Sequence, residues 1–517
     1  MNERMLFMTL REKLGQLIMF GFPGLTPGPE ALRLIEEYKA GNIVLFAHNL
    51  ESAAQTARLC EELRRRVQDA TGVPPILSID QEGGVVARLT ADAVSFPSAM
   101  AIAATGDVEN ARKAALYTGR ELAALGMNCN LAPVMDVNTN AQNPVIGVRA
   151  YGSEPGPASD FALACIRGHV EAGILPVAKH FPGHGDTSVD SHLGLPRVEK
   201  SLDELMDCEL VPYRRAIAQG VPAIMAAHIL FPALEKENLP ASMSPAILQG
   251  LLREKLGFTG LIVSDCLEMG AIQDHYGTPE GFVAALKAGL DLACISHTPA
   301  LALRALDLAY EAVMDGSLPM ARVDEAVAHV LAAKQRFAGA AASWEEVGCA
   351  LHRKAARHIM EQAMTRLDEN GVLPPVDEHA FFVGCPAYRA TFASSAPDDG
   401  NTFAQTLAGR FGAAFQVTPV QPAEADIQAV LQATRPGQTV VAGTYNAHLN
   451  RGQLALVNAL CEAGRKVIAV ALRNPYDLPA LSEKAWKLAA FEYTPLSFDA
   501  VEQVLRGADA PGSLNGL

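Results

Sequence analysis

Gly173-Ile174-Leu175-Pro176-Val177-Ala178 runs directly into Lys179-His180-Phe181-Pro182-Gly183-His184-Gly185-Asp186-Thr187-Ser188-Val189-Asp190-Ser191-His192. An apolar run bounded by glycine reads as a short buried strand, here over Ile174–Ala178. The histidines, aspartates and lysine that follow then sit at its C-terminal mouth, on a loop that Gly183 and Gly185 leave free to bend. A short strand that delivers reactive side chains from its C-terminal end is the local form of an α/β enzyme fold.

Working outward, the same unit recurs. Apolar strands are predicted at Gly15–Phe20, Asn42–Phe46, Pro75–Ile79, Asn128–Ala132, Ile174–Ala178, Ala223–Ala227, Gly260–Ser264 and Leu290–Ile295. Stretches of helical periodicity lie between them, among them Ser52–Ala70, Glu109–Leu125, Ala158–Ala172 and Pro279–Ala288. A doubly wound sheet gives the same local signals. The count of eight strands selects a (β/α)8 TIM-like barrel, spanning residues 1–340.

The helix Arg322–Phe337 ends in the small residues Gly339-Ala340-Ala341-Ala342-Ser343, which suit a boundary. Residues 341–375 read as a linker with a connecting helix, Leu351–Thr365, and a turn at Gly371-Val372-Leu373-Pro374-Pro375. From 376 to 517 a second α/β pattern predicts an open-sheet sandwich domain. Its strands fall at Ala380–Val383, Thr439–Ala442, Lys466–Leu472 and Lys487–Phe491. Its helices fall at Phe403–Arg410, Ile427–Gln432, Arg451–Ala463 and Phe498–Leu505. It carries neither G-x-G-x-x-G nor a P-loop, so a nucleotide site has no support.

A net charge of −15 argues against nucleic acid or an anionic membrane as partner. No apolar run approaches a bilayer span, and no signal-peptide core follows the N-terminus. The nine cysteines form no C-x-x-C pair, which suggests a reducing compartment and makes the cytoplasm the expected location. Nothing in the sequence fixes the oligomeric state.

The strand ends carry the chemistry. Asp80-Gln81-Glu82 follows strand three, Asp136 strand four, Lys179-His180 strand five, His228 strand six and Asp265 strand seven. Five consecutive strands with an ionisable residue at one end imply a shared site. In the central loop, His180, His184, Asp186, Asp190 and His192 have the side chains of metal ligands, though their spacing matches no closed zinc pattern. Acid–base work is the other option. Asp190-Ser191-His192 places a carboxylate where it can orient an imidazole whose ordinary pKa of about 6.5 suits both proton donor and acceptor. Asp265 can attack a carbon of oxocarbenium character; its alternative role is to cap the helix after it.

These residues resemble a family. Lys179 to Thr187 with Asp190-Ser191-His192 closely resembles the signature of family 3 glycoside hydrolases, in their β-N-acetylhexosaminidase branch. Asp80-Gln81-Glu82-Gly83-Gly84, Pro144-Val145-Ile146-Gly147 with Arg149, and Ser264-Asp265 fit the same family, and Arg473-Asn474-Pro475-Tyr476-Asp477 looks like a feature of its second domain. The resemblance implies a retaining β-N-acetylglucosaminidase that removes terminal N-acetylglucosamine from a small carbohydrate substrate, with cell-wall muropeptide fragments as the natural source. It implies Asp265 as nucleophile and His192, held by Asp190, as acid–base. Asp80, Arg88, Arg149, Lys179 and His180 would hold the sugar, with no metal and no organic cofactor. His184 and Asp186 would shape the loop, Glu82 would support the loop after strand three, and His228 would line the pocket floor.

The sequence also departs from the family pattern. Cys266 stands where an acidic residue often follows the nucleophile, and many enzymes of this branch are single barrels. A phosphorylase, a β-glucosidase and a non-catalytic sugar-binding protein are the rival readings.

Overall fold

The computed structural model describes residues 5, 7–188, 194–391, 393–395 and 402–514. Eight parallel strands close into a barrel: β1 Ile18–Phe20, β2 Asn42–Leu45, β3 Ile76–Ile79, β4 Cys129–Asn130, β5 Leu175–Phe181, β6 Ala223–Ala226, β7 Leu261–Cys266 and β8 Leu292–Ile295. Closure is made by β1 on β8, with Ile18 opposite Ala293 and Phe20 opposite Ile295. Apart from the C-terminal ends of β5 and β7, the strands are mostly apolar and buried on both faces, because helices cover the outside and side chains fill the inside. Among the described residues no helix is long and apolar enough to cross a membrane.

Three strands differ from expectation in ways that matter. Gly15 was expected in the first strand but lies in the helix Leu10–Gln16, whose capping box pairs Thr9 with Glu12. Only glycine fits there, since a Cβ would stand 2.2 Å from the carbonyl oxygen of Lys39. The fifth strand runs three residues further than its apolar core, to Phe181, with a register irregularity between Ala178 and Phe181. The seventh extends to Cys266 and carries a similar irregularity between Val263 and Cys266.

Beyond the helices Met320–Phe337 and Ala350–Ala363 a six-stranded sheet forms. Its strands are β9 Thr365–Arg366, β10 Phe381–Gly384, β11 Ala414–Val417, β12 Thr439–Thr444, β13 Lys466–Ala471 and β14 Trp486–Ala489, in the order β11-β10-β12-β13-β14-β9. All neighbours are parallel except β9, which runs antiparallel to β14. Sequence reading predicts four of the six. It takes Thr365 as the end of a helix, and it passes over β11, a four-residue edge strand, Ala414-Phe415-Gln416-Val417, whose side chains are mostly exposed.

The hydrophobic core of this second sheet takes in Met100, Ala101, Ala104 and Val148 from the barrel half of the chain. The two halves therefore share packed side chains as well as a connector.

Candidate active site

At the C-terminal mouth of the barrel lies a cavity of about 590 Å³, within the range of small-molecule sites. Asp80, Lys179, His180 and Asp265 reach it from the ends of β3, β5 and β7, and Arg88, Arg149 and Glu82 reach it from loops. Successive residues of a regular strand face opposite sides. The irregularity in β5 lets the neighbours Lys179 and His180 both line the cavity, and that in β7 does the same for Ser264, Asp265 and Cys266.

The cationic side of the site is held by buried carboxylates. Glu82 accepts two hydrogen bonds from Arg149, Nε at 2.9 Å and NH2 at 2.8 Å, in the planar fork that guanidinium and carboxylate share. Lys179 Nζ lies 2.6 Å from Glu82 Oε1 and donates to Asp80 Oδ1 at 2.7 Å. Burial alone would raise the Glu82 carboxyl, but Arg149 and Lys179 outweigh it and hold the group well below the usual carboxylate range. Glu82 thus anchors both Arg149 and Lys179.

Asp136 organises the next layer. It is fully buried, pairs with His180 Nδ1 at 2.7 Å, and accepts the backbone N–H groups of His184 at 2.7 Å and His180 at 3.3 Å. Burial opposes its charge, yet His180 beside it lowers the carboxyl from its ordinary value. The carboxylate fixes the ring of His180 so that Nε2 faces Arg149 NH2 at 3.5 Å. His184 is buried with its Nδ1 2.7 Å from Thr187 Oγ1, and burial first, then the charge of His180, pushes its pKa down to about 4. It is a neutral ring at the root of the loop. Asp186 pairs with Lys200 at 3.3 Å on the outer side.

Asp265 caps no helix. It is the penultimate residue of β7, and the next helix starts at Gly270 with Met269 as its N-cap. Its Oδ1 accepts the N–H of Cys266 at 2.7 Å, and it lines the cavity. Burial pushes the Cys266 thiol up to about 12, so this side chain adds no negative charge of its own beside Asp265. His228 does not line the cavity floor, where it was expected. Wholly buried, it lies 2.7 Å from Ser242 Oγ through Nδ1 and 3.0 Å from the Cys266 carbonyl through Nε2, bracing β7 from behind. Asp190 and His192 lie outside the described residues.

Residues that the sequence did not announce come from the second sheet. Arg389, Ser394 and Ser395, on the loop after β10, complete the cavity wall. Arg88 donates to the carbonyl of Ala393 at 2.5 Å and to Ser395 Oγ at 3.4 Å, so this arginine reaches the site while fastened to that loop. Arg473 NH2 donates to Ser394 Oγ at 2.9 Å from below. The signal that was available is positional: loops at the C-terminal ends of parallel strands are where open sheets bind ligands.

Residues 9–333 match the model of the glycosyl hydrolase family 3 N-terminal domain. The chain belongs to glycoside hydrolase family 3. Within the family it is 36% identical over 375 residues to beta-hexosaminidase A of Pseudoalteromonas piscicida, an alignment that covers 67% of this chain and 62% of that protein. The chain therefore spans less than two thirds of that relative's length. It is 35% identical over 334 residues to beta-hexosaminidase LpqI of Mycobacterium tuberculosis, covering 63% of this chain and 82% of that one. Among solved family 3 structures, a β-N-acetylglucosaminidase from Paenibacillus sp. str. FPU-7 superposes with a TM-score of 0.91 at 38% identity, over 98% of both chains. That likeness spans the second sheet as well as the barrel.

Proposed function

We propose that this family 3 protein is an exo-acting, retaining β-N-acetylglucosaminidase that works through a covalent glycosyl-Asp265 intermediate. The observation that carries the reading is Asp265 on β7, lining the same cavity as the ion-paired set Asp80, Lys179, Glu82 and Arg149. The relatives named β-hexosaminidase and β-N-acetylglucosaminidase support the choice of sugar.

In this mechanism a terminal N-acetylglucosamine enters the cavity. Asp80, Lys179, Arg88, Arg149 and His180 bind its hydroxyls, since carboxylate and guanidinium each engage two adjacent groups. Asp265 attacks the anomeric carbon while His192, oriented by Asp190, gives its proton to the departing glycosidic oxygen. The same imidazole then takes a proton from the water that breaks the ester. Cell-wall fragments that end in N-acetylglucosamine are the natural substrate on this reading. The nine free thiols suit work in a reducing compartment, the cytoplasm.

The test is a fluorinated N-acetylglucosaminide with a good leaving group, followed by peptide mapping. The label is expected on Asp265, and Asp265→Ala is expected to lose turnover of the aryl N-acetyl-β-glucosaminide by about 10⁴-fold or more. A label on any other residue overturns the mechanism. Sugar release that depends on added phosphate replaces hydrolysis by phosphorolysis.

A further inference from the structure

Away from the cavity, the connector between barrel and second sheet gathers three side chains with metal-ligand chemistry. Glu346 ends the 3-10 turn Trp344–Glu346, Cys349 is the N-cap of the helix Ala350–Ala363, and His352 lies in that helix's first turn. Their ligand atoms all lie within 4.8 Å of one another.

The histidine is held as a metal-binding histidine is held. Its ring is wholly buried and stacks on Tyr117 at 4.5 Å. Nδ1 pairs at 2.8 Å with Oε1 of Glu121, a carboxylate that also accepts the backbone N–H groups of Val94 and Gly348 through its other oxygen. A carboxylate on one ring nitrogen fixes the tautomer and leaves the other nitrogen with its lone pair. That nitrogen, Nε2, lies 3.1 Å from Oε2 of Glu346 yet makes no hydrogen bond. A buried acceptor and a half-buried one thus face each other. A proton between them would sit on the N–O line. A shared cation with bonds of about 2.05 Å sits roughly 40° off it, which is the arrangement that breaks hydrogen-bond geometry while keeping the atoms close. Arg120, the neighbouring cation, is 3.8 Å from Oε1 of Glu346 and leaves Oε2 for this role.

We propose that Glu346, Cys349 and His352 form a structural zinc site. Thiolate, imidazole and carboxylate together select a borderline-soft ion and disfavour calcium or magnesium. Glu346 and Cys349 are only half-buried, so a water completes the fourth position from the solvent side. Cys349 binds as thiolate, and loading releases its proton to water. The ion pins the connector to the barrel helix Val108–Ala124, which carries Tyr117, Arg120 and Glu121. It takes no part in glycoside cleavage.

The full chain, dialysed against a chelator, is titrated with Zn²⁺ in competition with a chromophoric chelator, beside Cys349→Ser and Glu346→Gln. One zinc per chain is expected in the parent protein, weakened at least about ten-fold in each variant, with a zinc-dependent rise in melting temperature that Cys349→Ser lacks. Cobalt loading should give a thiolate-to-metal absorption band that disappears in Cys349→Ser. Unchanged glycosidase activity in both variants shows that they fold; His352 is avoided because Glu121 relies on it. Absence of zinc binding in the parent overturns the site, and so does zinc that binds equally in parent and variants.

Discussion

Oδ1 of Asn474, in the segment that follows β13, accepts the backbone N–H of Val148 at 2.9 Å, tying the second sheet to the turn that presents Arg149. Both residues are buried, and Gly147 beside them has φ +48°, where a Cβ would stand 2.2 Å from that same oxygen. Two residues on, the hydroxyl of Tyr476 accepts Asn138 Nδ2 at 2.7 Å, and Asn138 Oδ1 accepts the N–H of Gly147 at 3.2 Å. The turn is thus gripped from both sides by groups that never reach the cavity. Asn474→Ala leaves a buried N–H unpaired, a loss of about 1–3 kcal/mol. The expected outcome is a rise in KM of about ten-fold with a smaller change in kcat. A fall in melting temperature with KM unmoved would assign Asn474 to stability alone.

His192→Ala separates acid catalysis from the rest of the reaction. A substrate with a poor leaving group needs the proton, whereas an activated aryl glycoside departs as a stable anion. The loss should be about 10²-fold or more for a disaccharide and under about ten-fold for the nitrophenyl glycoside, as read by steady-state kinetics. Equal losses on both would remove His192 from the acid role.

Glu82→Gln tests the buried ion pairs. The change leaves Arg149 and Lys179 beside a neutral amide, both almost fully buried, and the cost of an unmatched buried charge is about 3–5 kcal/mol. Chemical denaturation should show that loss at neutral pH. If stability hardly moves, the cations have other partners and the pairing matters little.

Glu492 gives a pH signature at the joint between the halves. It is 1% exposed, accepts the N–H of Ser98 at 2.9 Å and the hydroxyl of Thr494 at 2.8 Å, and burial raises its carboxyl to about 7. A folded state that binds its proton more tightly than the unfolded chain loses stability as pH rises. The contribution is therefore full below pH 4.5, the ordinary value, and is lost by about pH 7, on the order of 3 kcal/mol. Glu492→Gln keeps an oxygen for Ser98 and should flatten that part of the stability–pH curve. An unchanged slope would mean that Glu492 ionises freely in the fold.

The barrel was readable because most of its strands begin as apolar runs, and burial on both faces leaves such a run little alternative. β11 escaped because its run of apolar residues is only four long and broken by Gln416, and β9 because two residues are too few to show a period. The ends of β5 and β7 were placed short for a different reason. Lys179, His180 and Asp265 are polar, so hydrophobicity stops before the backbone pairing does. Asp80, Lys179, His180 and Asp265 could be assigned to one mouth from strand ends alone. That Asp136 would grip His180, or that His228 would turn away to brace Cys266, depends on side-chain directions set by the barrel and its irregular registers. The wall supplied by Arg389, Ser394 and Ser395 depends on how the second sheet docks, about which a linear pattern is silent.

Met100, Ala101, Ala104 and Val148 have at most 1% of their surface open to water because the second sheet's core encloses them. A gene truncated after residue 340 would therefore encode a sticky protein, with an oily scar near the mouth and the Arg149 turn unmoored. Anyone seeking a smaller catalyst from this chain would have to repaint that scar with polar side chains and find a substitute for Asn474.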